Sequence, residues 1–161
     1  METGIEGLEI TLNKVVGDDR GALYELLPGG IDNPAVSDGL ENLYISTGKK
    51  KFIGRGGHYH LNNTENFFTI GGATLWIFAD MREGSKTNGK IFAGIFVDKF
   101  AGKSDLPVLT IEKGNIPNIV VPPGIFLAYW PLSEEKSIIV CTGSVPYEKE
   151  KNVKIDPLEV K

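Results

Sequence analysis

Glycine and proline interrupt this chain so often that no long helix fits into it. The sequence has 20 Gly and 9 Pro in 161 residues, and they separate short apolar runs without a sustained helical period. Runs of this kind, spaced about ten residues apart, are typical of strands joined by turns. The sequence predicts strands at 8–16, 22–27, 42–47, 52–57, 58–61, 66–70, 73–80, 90–97, 108–112, 118–121, 124–130 and 137–145.

This number of strands predicts an all-β protein, an antiparallel jelly roll with only short peripheral helices. No repeat or change of composition marks a second unit, so residues 1–161 are predicted to form a single domain. Gly71 and Gly72 both tolerate positive φ, and they predict a hairpin between the strands on either side.

The charge balance and the single cysteine narrow the possible functions. Lys and Arg number 17 against 21 Asp and Glu, a net charge of −4, which disfavours a nucleic-acid partner. Cys141 has no second cysteine with which to pair, so the fold does not need an oxidising compartment. The first residues lack a cationic and apolar signal sequence, and no apolar run is long enough to span a membrane. We therefore expect a cytoplasmic protein without a membrane partner.

The two histidines of the chain lie two residues apart, at His58 and His60. On a strand these positions share a face. Glu65 follows His60 and Gly72 follows Glu65, at the spacing of the first cupin motif, His-x-His-x4-Glu-x6-Gly. Two imidazoles and one carboxylate can hold a divalent cation.

The rest of the metal pattern is incomplete. The second cupin motif places a further His shortly after a Pro-x-Gly turn, and Pro122–Gly124 resembles that turn. Leu127 occupies the position of the expected ligand. One divalent metal ion on His58, His60 and Glu65 is thus one interpretation of this region.

Six motifs in order resemble the dTDP-4-dehydrorhamnose 3,5-epimerase family, a cupin branch that acts on nucleotide-linked 4-keto-6-deoxy sugars. The resemblance extends through most of the chain and implies a cupin-type jelly-roll barrel, an isomerase activity, no cofactor and a homodimer. The motifs are Asp19-Arg20-Gly21 with Glu25, Arg55-Gly56-Gly57-His58-Tyr59, Gly72 to Asp80-Met81-Arg82, Pro123-Gly124-Ile125-Phe126, Leu132-Ser133-Glu134 and Ile155-Asp156-Pro157.

The resemblance implies a role for several of these residues. His58 is expected to remove a proton next to the ketone of a dTDP-4-keto-6-deoxyhexose, and Asp156 is expected to orient its imidazole. Arg55 and Arg20 are expected to bind the diphosphate, while Arg20 and Glu25 reach the site of a neighbouring subunit. His60 is expected to lie in the same pocket.

The chain departs from the family at functional positions. Glu65 replaces the Lys that stabilises the enolate oxygen, and Val140 replaces the Tyr that donates a proton. Leu43 and Ile45 stand where the family has polar residues of the nucleotide site.

Three accounts of these departures remain open. Tyr129 lies two residues from Leu127 and can serve as a relocated acid. A metal on His58, His60 and Glu65 can act as Lewis acid, although a metal-bound His58 cannot also be the base. The chain can also bind a sugar nucleotide without epimerising it.

Overall fold

The computed structural model describes residues 1–48, 50–97, 104–110, 114–134 and 136–160. Twelve strands within these residues form two six-stranded sheets. In spatial order, the first sheet contains β2 (Gly21–Tyr24), β1 (Glu9–Asp18), β9 (Asn115–Val121), β5 (Glu65–Gly71), β11 (Ser137–Gly143) and β3 (Asn42–Gly48). The second contains β12 (Asn152–Lys154), β4 (Arg55–His60), β10 (Ile125–Pro131), β6 (Ala73–Asp80), β7 (Ile91–Val97) and β8 (Val108–Thr110).

Every strand pair is antiparallel except β7 and β8, which run parallel. Helical structure among the described residues is limited to short 3-10 turns, at Gly30–Asp32, Pro34–Val36, Tyr147–Lys149 and Pro157–Glu159. None of these is long or apolar enough to cross a membrane. The predicted all-β jelly roll of cupin type is confirmed.

The core lies between the two sheets because alternate residues of each strand point inward. Trp76 and Phe78 of β6 are fully buried and stack with ring centroids 5.5 Å apart. Phe67 of β5 packs against Trp76 from the other sheet. Side chains of the intervening positions, such as Phe68, form smaller clusters on the outer faces.

The predicted hairpin at residues 71 and 72 is wrong. β5 pairs with β9 and β11, while β6 pairs with β10 and β7 in the other sheet. Gly72 does take a positive φ of 71°, so the turn exists, but it carries the chain from one sheet to the other. A local turn signal does not specify the partner strand. The last strand, β12, was not predicted, and residues 111 and 112 of the predicted strand 108–112 lie outside the described residues.

Candidate active site

The inner faces of the two sheets enclose a cavity of about 190 Å³. β3, β5 and β11 contribute residues from the first sheet, and β4, β10 and β12 contribute residues from the second. The segment after β11 contributes Tyr147 and Glu150. Five of the candidate catalytic, binding or metal-ligating residues line this cavity: Arg55, His58, His60, Glu65 and Tyr129.

His58 and His60 lie side by side on the cavity wall because they are alternate residues of β4. Their ring centroids are 4.9 Å apart and their planes are at 89°. Tyr59 points the other way and joins an outer cluster that includes Phe126. His60 is buried, whereas His58 is half-buried and open to the cavity.

Two glycines shape β4 just before the histidines. Gly56 and Gly57 have φ values of 85° and 73°, in the left-handed region that glycine tolerates best. The pairing of β4 with β10 shifts register between Leu127 and Ala128, and a Cβ on Gly56 would lie only 2.7 Å from the Leu127 carbonyl oxygen. Glycine therefore permits the bulge that leaves Arg55 opposite Tyr129.

Glu65 lies on the floor of the cavity with 2% of its surface exposed. Its Oε1 accepts a hydrogen bond of 2.8 Å from the hydroxyl of Tyr44. Its Oε2 lies 2.9 Å from Nε2 of His60, but the direction of approach is not that of a hydrogen bond. We call Tyr44, Glu65 and His60 the Glu65 cluster. Within this cluster one oxygen of the Glu65 carboxylate has no hydrogen-bond partner. A buried carboxylate with an unpaired oxygen lowers the stability of the fold.

The two imidazoles have pKa values shifted in opposite directions. Burial lowers the pKa of His58, and the nearby His60 lowers it further, against smaller opposing effects that include the charge of Glu65. Burial also lowers the pKa of His60, but the contact with Glu65 and its charge outweigh burial and raise that pKa above its ordinary value. His58 is therefore neutral near pH 7 and can accept a proton.

Tyr129 extends from β10 into the cavity and is 4% exposed. Its hydroxyl lies 2.8 Å from Oγ of Ser46 on β3, and either group can be the donor. Burial raises the pKa of Tyr129, while Ser46 and the charge of Arg55 lower it in part. Burial also raises the pKa of Cys141 to about 12, so its thiol remains protonated at neutral pH.

Asp156 lies away from this cavity. It is exposed, and its carboxylate accepts a hydrogen bond of 3.0 Å from the backbone N–H of Leu158. This bond caps the 3-10 turn Pro157–Glu159. No hydrogen bond joins Asp156 to His58 in the described part of the chain. The structure thus does not bring the two members of the predicted dyad together.

The other predicted binding residues lie on the outside of the chain. Arg20 and Glu25 are exposed on and after the β1–β2 turn, and Arg20 pairs with Asp18. Leu43 and Ile45 are 69% and 63% exposed on the outer face of β3.

At the position compared with the family's proton donor, the side chain also points outward. Val140 packs with Phe68 in an outer cluster. The neighbouring Cys141 is the residue of β11 that lines the cavity.

Tyr44, Ser46 and Glu150 also line the cavity, and none of them was predicted from the sequence. Within the predicted strand 42–47, Tyr44 and Ser46 alternate with Leu43 and Ile45, and this alternation was a usable signal. Glu150 gave no such signal, because its position depends on the fold of the segment after β11. There it accepts a 3.2 Å hydrogen bond from the Asn63 amide, and burial raises its pKa.

No family model and no curated protein matches the sequence. Solved structures match the fold over nearly the whole chain. A dTDP sugar isomerase from Desulfovibrio desulfuricans G20 has a TM-score of 0.77 and 15% identity, with 99% of this chain and 92% of that chain covered. A dTDP-6-deoxy-D-glucose-3,5-epimerase from Legionella pneumophila Philadelphia 1, in complex with dTDP-4-keto-L-rhamnose, has a TM-score of 0.76 and 22% identity, covering 99% and 78%.

A third similar structure is a 4-keto-6-deoxy sugar epimerase from the novobiocin biosynthetic gene cluster of Streptomyces spheroides. Its TM-score is 0.74 at 18% identity, with 98% of this chain and 73% of that chain covered. The resemblance to dTDP-sugar epimerases predicted from the motifs is therefore confirmed at the level of the fold.

Proposed function

We propose that this protein is an epimerase of a nucleotide-linked 4-keto-6-deoxy sugar. One observation carries the proposal: a half-buried His58, with a pKa below its ordinary value, lies in the inner cavity of a fold shared with dTDP-sugar epimerases. A neutral imidazole open to a cavity is the group that proton abstraction requires.

The reaction breaks a C–H bond next to the ketone. His58 takes the proton, and the electron pair delocalises onto the ketone oxygen as an enolate. Epimerisation then needs an acid on the opposite face of the sugar. Tyr129 meets this need because it lies on β10, diagonally across from His58 on the neighbouring strand. Its hydroxyl meets Ser46 of the other sheet, so the phenol extends across the cavity that His58 also lines.

The size of the cavity supports entry of the sugar alone. About 190 Å³ is less than the roughly 300–1,000 Å³ typical of ligand pockets, so the nucleotide would remain outside it. Arg55 lines the cavity and is itself exposed. Its guanidinium would bind the diphosphate that links the two parts.

Deuterium incorporation tests the activity directly. Incubation of dTDP-4-keto-6-deoxyglucose with the protein in deuterated water should place deuterium at C3, at C5 or at both. Incorporation at one carbon would indicate a single-position epimerase. Binding of the sugar nucleotide without incorporation above the protein-free background would instead identify a non-catalytic sugar-nucleotide binding protein.

Two variants test the base and its proposed orientation. His58→Asn should lower incorporation by roughly 10²- to 10⁴-fold and leave dTDP binding intact. Asp156→Asn tests whether Asp156 moves to His58 when substrate binds. A loss of incorporation with unchanged dTDP binding would support the dyad, and unchanged incorporation would remove Asp156 from the mechanism.

A metal-dependent activity is the second candidate. Ligand atoms of His58, His60 and Glu65 lie within 4.8 Å of one another, and both ring nitrogens of His60 lack a hydrogen-bond partner. This donor set fits a divalent cation, which when bound would polarise a carbonyl as a Lewis acid. Elemental analysis of protein purified without an affinity tag or chelator tests it. Stoichiometric metal that His60→Ala removes would favour this candidate over the His58 base.

We also propose that two copies of the chain associate through the outer face of β3. Leu43 and Ile45 project there, beside the half-buried Ile138 and Val140 of β11. Burial of this apolar face would stabilise a homodimer. Light scattering should find a dimer that Leu43→Glu dissociates. Leu158→Glu is the control, since Leu158 is 91% exposed elsewhere. A monomeric wild type would contradict the proposal.

A further inference from the structure

Tyr44 and Tyr129 line the cavity from opposite sheets, and the hydrogen bonds of their hydroxyls differ. The Tyr44 hydroxyl donates its proton to the carboxylate of Glu65, so that proton is engaged. The hydroxyl of Tyr129 faces another hydroxyl, that of Ser46, and either can donate. Tyr129 can therefore turn its own proton toward the cavity, provided that Ser46 donates to its oxygen.

Ser46 is held in a fixed place relative to Tyr129. Ser46 lies in β3, where its backbone pairs with Ile139 of β11. Tyr129 lies in β10, between β4 and β6, and its ring packs on Trp76 with centroids 4.8 Å apart. The two residues belong to different sheets, and their 2.8 Å contact joins the sheets across the cavity. Because both backbones are held by strand pairing, little entropy is lost in keeping this contact.

We propose that Ser46 is a positioning residue for Tyr129, donating a hydrogen bond to the phenol oxygen so that the Tyr129 proton points at the substrate carbon. This inference rests on the proposed epimerase function. In the second half of the reaction the O–H bond of Tyr129 breaks and a C–H bond forms on the carbanion. The phenolate that remains is stabilised by the Ser46 hydroxyl and by the charge of Arg55. It regains a proton from water, and the His58 imidazolium releases to water the proton that it took from the sugar, so both groups return to their starting states.

This arrangement accounts for the residues that replace the family's acid position. Val140 points outward, so the residue at the family's acid position brings no proton donor to the cavity. The acid and its hydrogen-bond partner instead come from β10 and β3. A serine at position 46 is useful only if residue 129 carries a hydroxyl, which makes the two positions functionally dependent on each other.

Ser46→Ala and Ser46→Thr test the proposal, with Thr47→Val as the matched control. Thr47 is the next residue of β3, and its side chain points to the other face. With substrate in deuterated water, Ser46→Ala should lower inversion about tenfold, while exchange through His58 on one face continues. The KM should change little. Ser46→Thr should restore inversion, and Thr47→Val should resemble the wild type.

A second measurement needs no substrate. Fluorine NMR of protein labelled with difluorotyrosine, whose phenol is more acidic than that of tyrosine, reports each tyrosine pKa, and Tyr129→Phe assigns the signal. Ser46→Ala should raise the Tyr129 pKa by about one unit, the loss expected for one hydrogen bond to a charged oxygen. An unchanged pKa, or equal losses of inversion and exchange, would overturn the proposal. Absence of any exchange in the wild type would defeat the proposed function while the NMR result still decides the role of Ser46.

Discussion

Two turns of this molecule carry the same Asp-x-Arg arrangement in opposite environments. In both, the aspartate accepts the backbone N–H of the arginine and pairs with its guanidinium, at Asp18 with Arg20 and at Asp80 with Arg82. The side chains of the first pair are 47% and 86% exposed, and those of the second are 0% and 29% exposed. The two pairs therefore contribute differently to the free energy of unfolding, although their hydrogen-bond arrangement is the same. Water competes for the exposed Asp18 and Arg20 but has no access to the carboxylate of Asp80.

Asp80 is also more completely hydrogen-bonded than Glu65, the buried carboxylate of the cavity. Besides Arg82, its Oδ2 accepts hydrogen bonds of 2.6 Å from Ser85 and from Thr87. Glu65 is as deeply buried but has one well-formed hydrogen bond, from Tyr44. The complete hydrogen bonding of Asp80 indicates a structural role, whereas Glu65 keeps a carboxylate oxygen without a hydrogen-bond partner that a ligand could use.

The largest effect is expected at Asp80. Asp80→Asn leaves the guanidinium of Arg82 without its partner and should lower the free energy of unfolding by about 3 kcal/mol. Urea denaturation at pH 7 measures this loss. Binding of dTDP should be unchanged under native conditions, because Asp80 does not line the cavity. A loss no greater than that of Asp18→Asn would contradict the distinction between the two pairs.

The pH dependence of that loss provides an independent check. The Arg82 side chain holds the pKa of Asp80 well below its ordinary value, and the hydroxyls of Ser85 and Thr87 act in the same direction against burial. A carboxyl with a lowered pKa stabilises the fold above the pKa of the unfolded state, about 3.9. The stability difference between wild type and Asp80→Asn should thus shrink as the pH falls below about 4.

An intermediate effect is expected at Glu65. Glu65→Gln removes the negative charge and keeps an oxygen that can accept from Tyr44, so we expect a loss of about 1–2 kcal/mol. A clearer effect is expected on the pKa of His60, because Glu65 raises that pKa and burial lowers it. With Glu65 neutral, burial prevails over the remaining charge of Glu150, and the pKa of His60 should fall. The stability that His60 contributes below its unfolded pKa of about 6.5 should fall with it.

Proton NMR of the imidazoles in chelator-treated protein measures this change. The chain has only two histidines, so His58→Asn assigns both signals. Tyr44→Phe is the control, because it removes the hydrogen bond that Glu65 accepts and leaves the Glu65 side chain in place. A His60 pKa that is equal in wild type and Glu65→Gln would mean that Glu65 does not govern His60.

The sequence predicted the fold better than it predicted the site. The reason is that strands depend on residues close together in the sequence, whereas the site depends on contacts between residues far apart in it. Strand positions follow from local apolar runs, and the two histidines share a wall because they share one strand. The contacts of Tyr44 with Glu65 and of Ser46 with Tyr129 join residues 21 and 83 positions apart. These contacts depend on which strands become neighbours. The hairpin predicted at Gly72 was wrong for the same reason, since the local sequence did not specify the partner strands.

When a functional residue is assigned by comparison with a family, the alignment must be correct to a single residue. A shift of one residue moves a strand side chain to the opposite face, and this separates the outward Val140 from the cavity-lining Cys141. Asp156 illustrates a different limit. Its Asp-Pro sequence matches the family motif, but the same two residues are also well suited to begin a 3-10 turn, and the carboxylate caps that turn.

The smallest effect on stability is expected at Arg20. Its guanidinium is 86% exposed and pairs with Asp18, whose side chain is 47% exposed, so Arg20→Ala should leave the unfolding midpoint unchanged within error. The exposed pair can still matter for binding if the proposed homodimer places Arg20 at the partner's cavity. In that case Arg20→Ala should weaken dTDP binding about tenfold, as for one lost hydrogen bond to a charged oxygen. Asp18→Asn should not weaken it, since it frees the guanidinium. Unchanged affinity in a dimeric Arg20→Ala variant would assign the Asp18–Arg20 pair to the solvated surface, and only the buried Asp80–Arg82 pair would then have a measurable role.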